Sequence, residues 1–370
     1  MDFELSEEQG MLRDTVREVL TKTYDVETLR KVTDTDLGWS EKVWKSLAEI
    51  GILGLTFPES EGGMDAGPVE FTSVMTELGR ALAPEPYLDS VLVPGSLLDA
   101  AADATRAELR GGLASGELLM AFAHNEPGDR WPVAAVSTTA TAEGVLNGTK
   151  TLVGHGDSAH KLIVSARVGD EVGLFLIDAD AEGVTRTAYR THDRRRGAEF
   201  TFNDAQATRL GSGDASELIA NAEIGIQTAL CAEALGAMER SLELTVEYLK
   251  SRKQFGVPLA TFQALTHRAA DMYVQLELAR SLVLYATTAL ADGIADAAIA
   301  SRVKLQTVRS ARLIGQEAIQ MHGGIGMTAE YPIAHYVSRL TAISHTLGDA
   351  DAHVTKLSKD LASYDMLSVG

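Results

Sequence analysis

An arginine at the end of a predicted helix is the first residue whose chemistry stands out. It lies in residues 251–258, which read Ser-Arg-Lys-Gln-Phe-Gly-Val-Pro, and Gly256 and Pro258 end the helix that precedes them. Arg252 could stabilise the negative end of the helix dipole. Its guanidinium group could instead form paired hydrogen bonds with a phosphate. Taken alone, the segment favours the structural role.

A cluster of glycines follows another predicted helix. Residues 320–328 read Gln-Met-His-Gly-Gly-Ile-Gly-Met-Thr, and three of them within four positions are glycines. Such glycines can end a helix or let a ligand approach the backbone closely. No strand precedes them, so the segment is not a Rossmann dinucleotide motif. A third segment, Asn-Glu-Pro-Gly at 125–128, by itself predicts only a turn.

Composition limits the classes of function. The 370 residues carry 33 Lys and Arg against 52 Asp and Glu, a formal net charge of -19, which disfavours nonspecific nucleic-acid binding. The single cysteine, Cys231, cannot form an internal disulfide, and it fits a reducing cytoplasm. No window holds about 18 uncharged apolar residues, so no membrane span is expected. The 9 histidines show no paired spacing, so no metal site is predicted.

Three regions of different hydrophobic period must position these segments. Helical spacing dominates residues 1–114, short apolar runs typical of strands fill 115–212, and helical stretches return over 213–370. Ser6 and Gln9 are spaced as a capping box for the first helix. Because strands are grouped between blocks of helices, the pattern predicts an α+β protein with a middle antiparallel β-domain.

Taken together, in this order and at these separations, the segments resemble those of the acyl-CoA dehydrogenase family over nearly the whole chain. The resemblance rests on residues 51–54 (Gly-Ile-Leu-Gly) with Pro58-Glu59 and Gly62-Gly63, on Glu126-Pro127-Gly128, on Asn147-Gly148 with Lys150, on residues 252–256, and on 320–326 with Glu330-Tyr331-Pro332. The subtype it resembles is the small subunit of pimeloyl-CoA dehydrogenase, with related subunits of steroid side-chain dehydrogenases.

The resemblance implies a fold, a reaction and partners. The fold has an N-terminal helical domain, a middle β-domain and a C-terminal four-helix bundle. The reaction is 2,3-dehydrogenation of an acyl-CoA thioester, in which a glutamate removes the α-proton while the β-hydrogen leaves as hydride to FAD. The implied partners are acyl-CoA, an electron-transfer flavoprotein and the other subunits of a tetramer, in which neighbours share each flavin site.

The glutamate that should remove the proton is missing at both places where the family carries it. Counting from Gly323 brings Leu347 to the usual position, and counting back from Arg252 brings Ile226 to the second position. Neither side chain can accept a proton.

Other acidic residues are candidates for the base. Glu233 lies about two helical turns beyond Ile226, Glu223 lies about one turn before it, and Asp349 follows Leu347 closely. The alternative for Glu233 is a buried helix-pairing or subunit contact. The alternative for Glu223 is a solvated helix face. The identity of the base therefore stays open between Glu233 and Asp349.

The residues expected on the flavin face also depart from the family pattern. Asp129-Arg130-Trp131 stands where family members carry Ala-Gly-Ser. Leu152 replaces the aromatic residue that covers the flavin ring, and Gly154 replaces a nearby threonine. Several expected flavin contacts are therefore absent.

By contrast, the residues that reach a neighbour's flavin are intact. The resemblance implies that they contact the adenosine and pyrophosphate end of a flavin bound mainly by another subunit. The matching residues are Arg252, Gln254, Phe255, Gln320, Gly323 and Gly324.

This asymmetry predicts one subunit of an α2β2 acyl-CoA dehydrogenase, whose larger homologous partner supplies the glutamate. One alternative is a self-sufficient homotetramer that uses Glu233 or Asp349. Another is a non-catalytic scaffold subunit without flavin. The basic run at 194–196 is expected to be a solvated loop rather than a site for the phosphates of CoA.

Overall fold

Amphipathic helices build the N-terminal region. The computed structural model describes residues 5–133 and 135–359. Ser6 Oγ accepts a hydrogen bond from the Gln9 backbone, and the Gln9 side chain accepts one from the Ser6 N–H, so the predicted capping box is confirmed. The helices are α1 (Glu7–Thr21), α2 (Val26–Asp34), α3 (Glu41–Glu49), α4 (Pro68–Ala81), α5 (Val93–Leu97) and α6 (Asp103–Ser115), with a π-helical turn at Leu88–Leu92 before α5.

A single eight-stranded sheet forms the middle of the chain. Its strands are β1 (Met120–Ala123), β2 (Thr139–Ala140), β3 (Val145–Gly154), β4 (Lys161–Val168), β5 (Glu171–Asp178), β6 (Val184–Arg190), β7 (Arg196–Gln206) and β8 (Thr208–Leu210). The order is β6-β7-β3-β2-β4-β5-β8, and β1 adds to β4. β4 pairs in parallel with both β1 and β2, whereas the other pairs are antiparallel. The predicted antiparallel β-domain is thus confirmed with one local departure.

Long helices return after the sheet. They are α7 (Ser216–Ser251), α8 (Gln263–Ala291), α9 (Ala297–His322), α10 (Pro332–His345) and α11 (Ala350–Lys359), and a short hairpin of β9 (Lys253–Gln254) and β10 (Val257–Pro258) separates α7 from α8. Helices α7 to α10 pack against one another as the predicted bundle, and α11 packs on α9. Apolar residues on several faces of α7 are buried, as in a central helix.

Small residues allow α7 to touch the N-terminal region closely. A Cβ on Gly79 of α4 would collide with the backbone of Glu233, and one on Gly236 of α7 would collide with the backbone at Thr76. This contact merges the N-terminal and C-terminal helices into one hydrophobic core, while the sheet carries a second core cluster. Among the described residues, no helix has the length and hydropathy needed to cross a bilayer, and no cluster of metal-ligating side chains occurs.

Candidate functional site

The first candidate site is the exposed edge, which we define as residues 252–256 and 320–327. α7 ends at Ser251, and the hairpin of β9 and β10 follows directly. Its two turn residues, Phe255 and Gly256, have φ angles of 54° and 82°, and positive values at both positions are typical of a type I′ turn. The turn leaves Phe255 91% exposed.

Other apolar side chains of the edge and its flank are also exposed. Val257 follows the turn, and Ile325 and Met327 lie in the second half of the edge with exposures of 43% and 75%. Apolar residues grouped on one edge favour contact with another molecule.

Arg252 places an exposed guanidinium group at this edge. Its backbone is fixed, because its N–H donates to the Tyr248 carbonyl and its carbonyl accepts from the Leu259 N–H, both at 2.8 Å. Its side chain is exposed and, within residues 5–133 and 135–359, has no hydrogen bond or ion pair. Gln254 and Gln320 are exposed as well. An exposed guanidinium group on a fixed backbone is suited to form paired hydrogen bonds with a phosphate.

The glycine segment lies open beside the same helix end. A Cβ built on Gly323 or Gly324 would meet no atom within 4 Å. The rings of Tyr248 and His322 have centroids 4.5 Å apart, and those of His322 and Tyr331 lie 4.9 Å apart. This ring cluster joins the end of α7 to the end of α9. It brings the two halves of the exposed edge together, with room for a ligand at the glycines.

The Glu126-Pro127-Gly128 motif and the Asn147-Gly148 motif with Lys150 contact each other beside the second candidate site. Lys150 is fully buried, and its ammonium donates to Glu126 Oε1 at 2.8 Å and to the His124 carbonyl at 2.9 Å. Glu126 also accepts from the backbone N–H groups of Ser137 and Thr138, both at 2.8 Å. Burial would raise the pKa of Glu126, but the hydrogen bonds outweigh burial and lower the pKa to about 2. The two motifs therefore fix each other's position.

The second candidate site is the interdomain cleft, which we define as the cavity of about 470 Å³ between the sheet and helices α7 and α10. Its walls include Glu126, Leu230 of α7 and Arg339 of α10. An apolar cavity of about 290 Å³ adjoins it, and the two share the lining residues Leu88 and Ile226. A long ligand could therefore lie across both.

Leu347 lies in the wall of this cleft, where the resemblance expects the base. Its φ of 52° is uncommon for a residue other than glycine, and Gly348 follows with a φ of 91°. Buried Lys304 donates to the Ile343 carbonyl at 2.5 Å and approaches the Gly348 carbonyl at 3.5 Å. Burial lowers the pKa of Lys304 to about 8. The loop thus keeps a constrained and anchored backbone, yet it presents a side chain that cannot take a proton.

Glu233 is part of a buried ion-pair network behind the cleft. Arg339 donates to both Glu233 oxygens at 2.7 Å, and Arg195 donates to one of them at 2.6 Å. Arg339 also pairs with Asp193 at 2.9 Å. Burial would raise the pKa of Glu233, but the two guanidinium charges outweigh burial and lower the pKa. A carboxylate held ionised in this way is a poor proton acceptor, and the geometry favours the alternative of a buried helix contact.

The other acidic candidates also have contacts of their own. Asp349 is exposed, and its carboxylate accepts from the Ala352 N–H at 2.9 Å, as in an N-cap. Glu223 is half-buried and accepts a hydrogen bond from Trp131 Nε1 at 3.3 Å. Burial raises the pKa of Glu223. Glu223 is therefore packed on an aromatic ring rather than fully solvated.

Departures on the expected flavin face have structural explanations. A Cβ on Gly154 would lie 2.7 Å from the Asp89 carboxylate carbon, so a larger side chain does not fit there. Asp89 Oδ2 is itself 2.7 Å from His155 Nδ1. Leu152, at the position of the expected ring cover, is 67% exposed. An internal contact therefore fills the space of the missing hydrogen-bonding side chain.

The two sites differ in how well they fit FAD. The exposed edge fits the phosphate-bearing end, since it offers a free guanidinium group and an open backbone. The interdomain cleft offers the flavin ring fewer of the expected contacts, because Asp89 lies against Gly154 and Trp131 is packed on Gly348.

The roles of Arg195 and Arg196 do not follow from the sequence, and the expected solvated loop is wrong. Arg196 is only 5% exposed and donates to the carbonyls of Thr33 and Asp36 at the end of α2. Arg195 is paired with Glu233. The partners of Arg196 lie 163 and 160 positions away, so no local pattern could have indicated them.

Three family models match successive parts of the chain. The acyl-CoA dehydrogenase N-terminal domain matches residues 6–117, the middle domain matches residues 121–205, and the C-terminal domain matches residues 227–361. The matched segments together cover most of the sequence.

Full-length relatives give the same result. Acyl-CoA dehydrogenase FadE27 of Mycobacterium tuberculosis is 28% identical over 98% of this chain and 99% of its own length. Acyl-CoA dehydrogenase IpdE2 of the same organism is 33% identical over 90% of this chain and 91% of its own length.

Solved structures share the whole fold. A chain of the ChsE4-ChsE5 complex from Mycobacterium tuberculosis superposes with a TM-score of 0.90 at 26% identity, covering 99% of this chain and 100% of that one. A chain of a variant of the Tcur3481-Tcur3483 steroid ACAD superposes with a TM-score of 0.89 at 33% identity, covering 96% and 98%.

Proposed function

The chain belongs to the acyl-CoA dehydrogenase family, and from this premise we propose that it is one subunit of an α2β2 FAD-dependent acyl-CoA dehydrogenase. The homologous larger partner supplies the catalytic glutamate and most of the flavin contacts. One observation carries the proposal: the exposed edge has free ligand-binding groups, whereas the interdomain cleft has Leu347 at the base position.

The residues of the exposed edge would hold the partner's cofactor. Arg252 would form hydrogen bonds to phosphate oxygens through its planar guanidinium group, and Gly323 and Gly324 would admit the nucleotide close to the backbone. Gln254 and Gln320 would add polar contacts, and Phe255 would cover apolar surface. The chemistry supplied by bound FAD is acceptance of the hydride from the β-carbon.

The homotetramer that uses its own base has weaker support. Glu233 is ionised between Arg195 and Arg339, and Asp349 caps α11 at the surface. A general base needs a free lone pair within reach of the substrate and a pKa near the working pH. The guanidinium partners and lowered pKa of Glu233 oppose this role, and the Asp349 carboxylate already accepts a hydrogen bond from the Ala352 N–H.

The acyl group and the other partners belong to the same proposal. Likeness to a steroid ACAD and to a chain of a two-protein complex supports a steroid side-chain thioester and a heteromeric assembly. Electrons leave through an electron-transfer flavoprotein, as the family implies. The single cysteine supports a cytoplasmic location.

Co-expression with a homologous larger subunit tests the proposal. We expect the purified assembly to hold one flavin for every two different chains, and we expect the lone chain to hold none and to show no turnover. Full flavin occupancy with acyl-CoA oxidation by the lone chain would refute the heteromeric assignment. The measurements are the visible flavin spectrum, protein mass and turnover with an artificial electron acceptor.

A further inference from the structure

Trp131 connects the sheet side of the interdomain cleft to three elements of the C-terminal region. Its Nε1 donates to Glu223 of α7 at 3.3 Å. Its ring centroid lies 4.3 Å from that of His353 and 4.8 Å from the Lys356 ammonium, both on α11. Its ring also packs on Gly348, where a Cβ would collide with it.

The same ring lies beside the position of the missing base. Trp131, Leu347 and Gly348 all line the interdomain cleft. His353 holds the loop from the other side, since its Nε2 donates to the Leu347 carbonyl at 3.0 Å. Burial lowers the pKa of His353 to about 4, so a neutral imidazole packs against the indole in a tilted arrangement at neutral pH. The Trp131 ring, the loop at Leu347 and Gly348, and helix α11 therefore pack together.

A substrate in this chain's own site would need the same space. A residue at position 347 can act as base only if the α-carbon of the thioester lies within reach of it. The acyl chain would then have to continue past Leu88 and Ile226 into the apolar cavity. The indole packed on Gly348 stands beside the first part of this path, where the family pattern has a small serine at position 131.

We propose that Trp131 closes this chain's own acyl-CoA site and thereby directs the thioester to the site of the partner subunit. The indole is a specificity-determining side chain rather than a catalytic one. The apolar cavity still adjoins the cleft at Leu88 and Ile226, and the indole lies at the part of the cleft beside Gly348. This inference rests on the proposed function, because it presupposes a partner with a working site.

Acyl-CoA stoichiometry in the assembled heterotetramer tests the inference. We expect calorimetry with octanoyl-CoA to give one site for every two different chains in the wild type. Trp131→Ser should add a second site per pair, with at least about a tenfold gain in affinity there and no added turnover, because position 347 remains leucine. Trp131→Phe should stay at one site, since it keeps a ring on Gly348. Glu223→Gln should also stay at one site, since it keeps an acceptor for the indole N–H.

A second measurement covers the case in which the serine variant fails to assemble. In the wild-type complex, octanoyl-CoA should not change hydrogen exchange in residues 345–356 of this chain, while it protects the matching loop of the partner. Protection of 345–356 would overturn the closure, as would a serine variant that assembles and still binds one ligand per pair. A wild type with one flavin in each chain would instead contradict the proposed function, so the two failures are distinguishable.

Discussion

In the proposed assembly, the exposed edge and the interdomain cleft are two halves of a flavin site in opposite states. At the edge, Arg252 has a fixed backbone and a guanidinium group without a partner in the described part of the chain, and Phe255 is almost fully exposed. In and behind the cleft, by contrast, Glu233 is already paired with Arg195 and Arg339, and Asp89 already contacts His155.

The difference shows why one region is ready to bind a ligand while the other is not. A polar group that is unpaired at a surface gains from binding a ligand, whereas a buried ion pair would have to be broken before it could bind one. Under the proposed function, the edge serves another subunit. The ion pairs at the cleft instead join regions of this chain.

The largest expected effect is a loss of stability when the buried ion-pair network around Glu233 is disrupted. Glu233→Ala would leave Arg195 and Arg339 buried without their main counter-charge, and we expect a loss of about 3–5 kcal/mol in the free energy of unfolding. The matched control is Glu247→Ala on the same helix, whose side chain is 64% exposed and which should change stability by less than about 0.5 kcal/mol. Urea unfolding followed by circular dichroism measures both. A stable Glu233→Ala variant would show that this ion-pair network does not stabilise the chain.

A slightly smaller loss of stability is expected when the ion pair of Glu126 and Lys150 beside the cleft is disrupted. Glu126→Gln leaves the Lys150 ammonium buried beside a neutral group, and at pH 7 we expect a loss of about 3 kcal/mol. The pKa of Glu126 is about 2 in the folded chain, below the ordinary value of 4.5. Its stabilisation is therefore complete above about pH 4.5 and is lost as the pH falls toward 2.

The difference in the free energy of unfolding between wild type and Glu126→Gln should therefore decrease as the pH falls. Unfolding midpoints at pH 7, 4.5 and 3 measure it, and Glu143→Gln, at an exposed turn, serves as the control. A stability difference that stays constant down to pH 3 would mean that the contact of Glu126 with Lys150 does not depend on ionisation of Glu126.

The next effect belongs to the exposed edge and appears in binding. Arg252→Ala in the heterotetramer should weaken flavin retention about 10- to 100-fold, because a charge-assisted hydrogen bond to phosphate is lost. Arg252→Lys should restore only part of it, since an ammonium cannot form the paired bonds. Lys253→Ala is the neighbouring control. Unfolding of the lone chain should not change, because the side chain has no partner within the described residues.

Flavin release during dialysis gives the measurement for these edge variants. Retention equal to wild type in Arg252→Ala would favour the scaffold alternative, in which this chain touches no flavin. Equal losses in Arg252→Ala and Lys253→Ala would indicate a general effect of surface charge rather than a specific contact.

The sequence could predict the exposed edge because its features are local. The end of α7 and the stop after α9 follow from glycine, proline and helical spacing within a few residues. The same is true of the α+β organisation, since hydrophobic period changes along the chain. The capping box of Ser6 and Gln9 is equally local.

The interdomain cleft could be predicted only as a set of missing residues. Leu347 and Gly154 depart visibly from the family pattern, but what fills their surroundings depends on contacts between distant positions. Asp89 beside Gly154 and Trp131 on Gly348 are such contacts. Pattern and propensity describe neighbours along the chain, so they carry no information about which distant side chain occupies a vacated space.

The smallest expected effect gives the sharpest test of the comparison. Leu347→Glu restores a carboxylate at the usual base position, on a loop whose carbonyls Lys304 and His353 contact at Gly348 and Leu347. If the cleft lacked only the base, this change would create activity. We expect none, because Asp89 still fills the space beside Gly154 and Trp131 still lies on the loop. The measurement is turnover by a heterotetramer in which the partner's glutamate is changed to glutamine, with Leu347→Gln in this chain as the control for packing. Turnover above that control would show that the cleft is a complete site that has merely lost its base, and the distinction between the two regions would then reduce to one side chain.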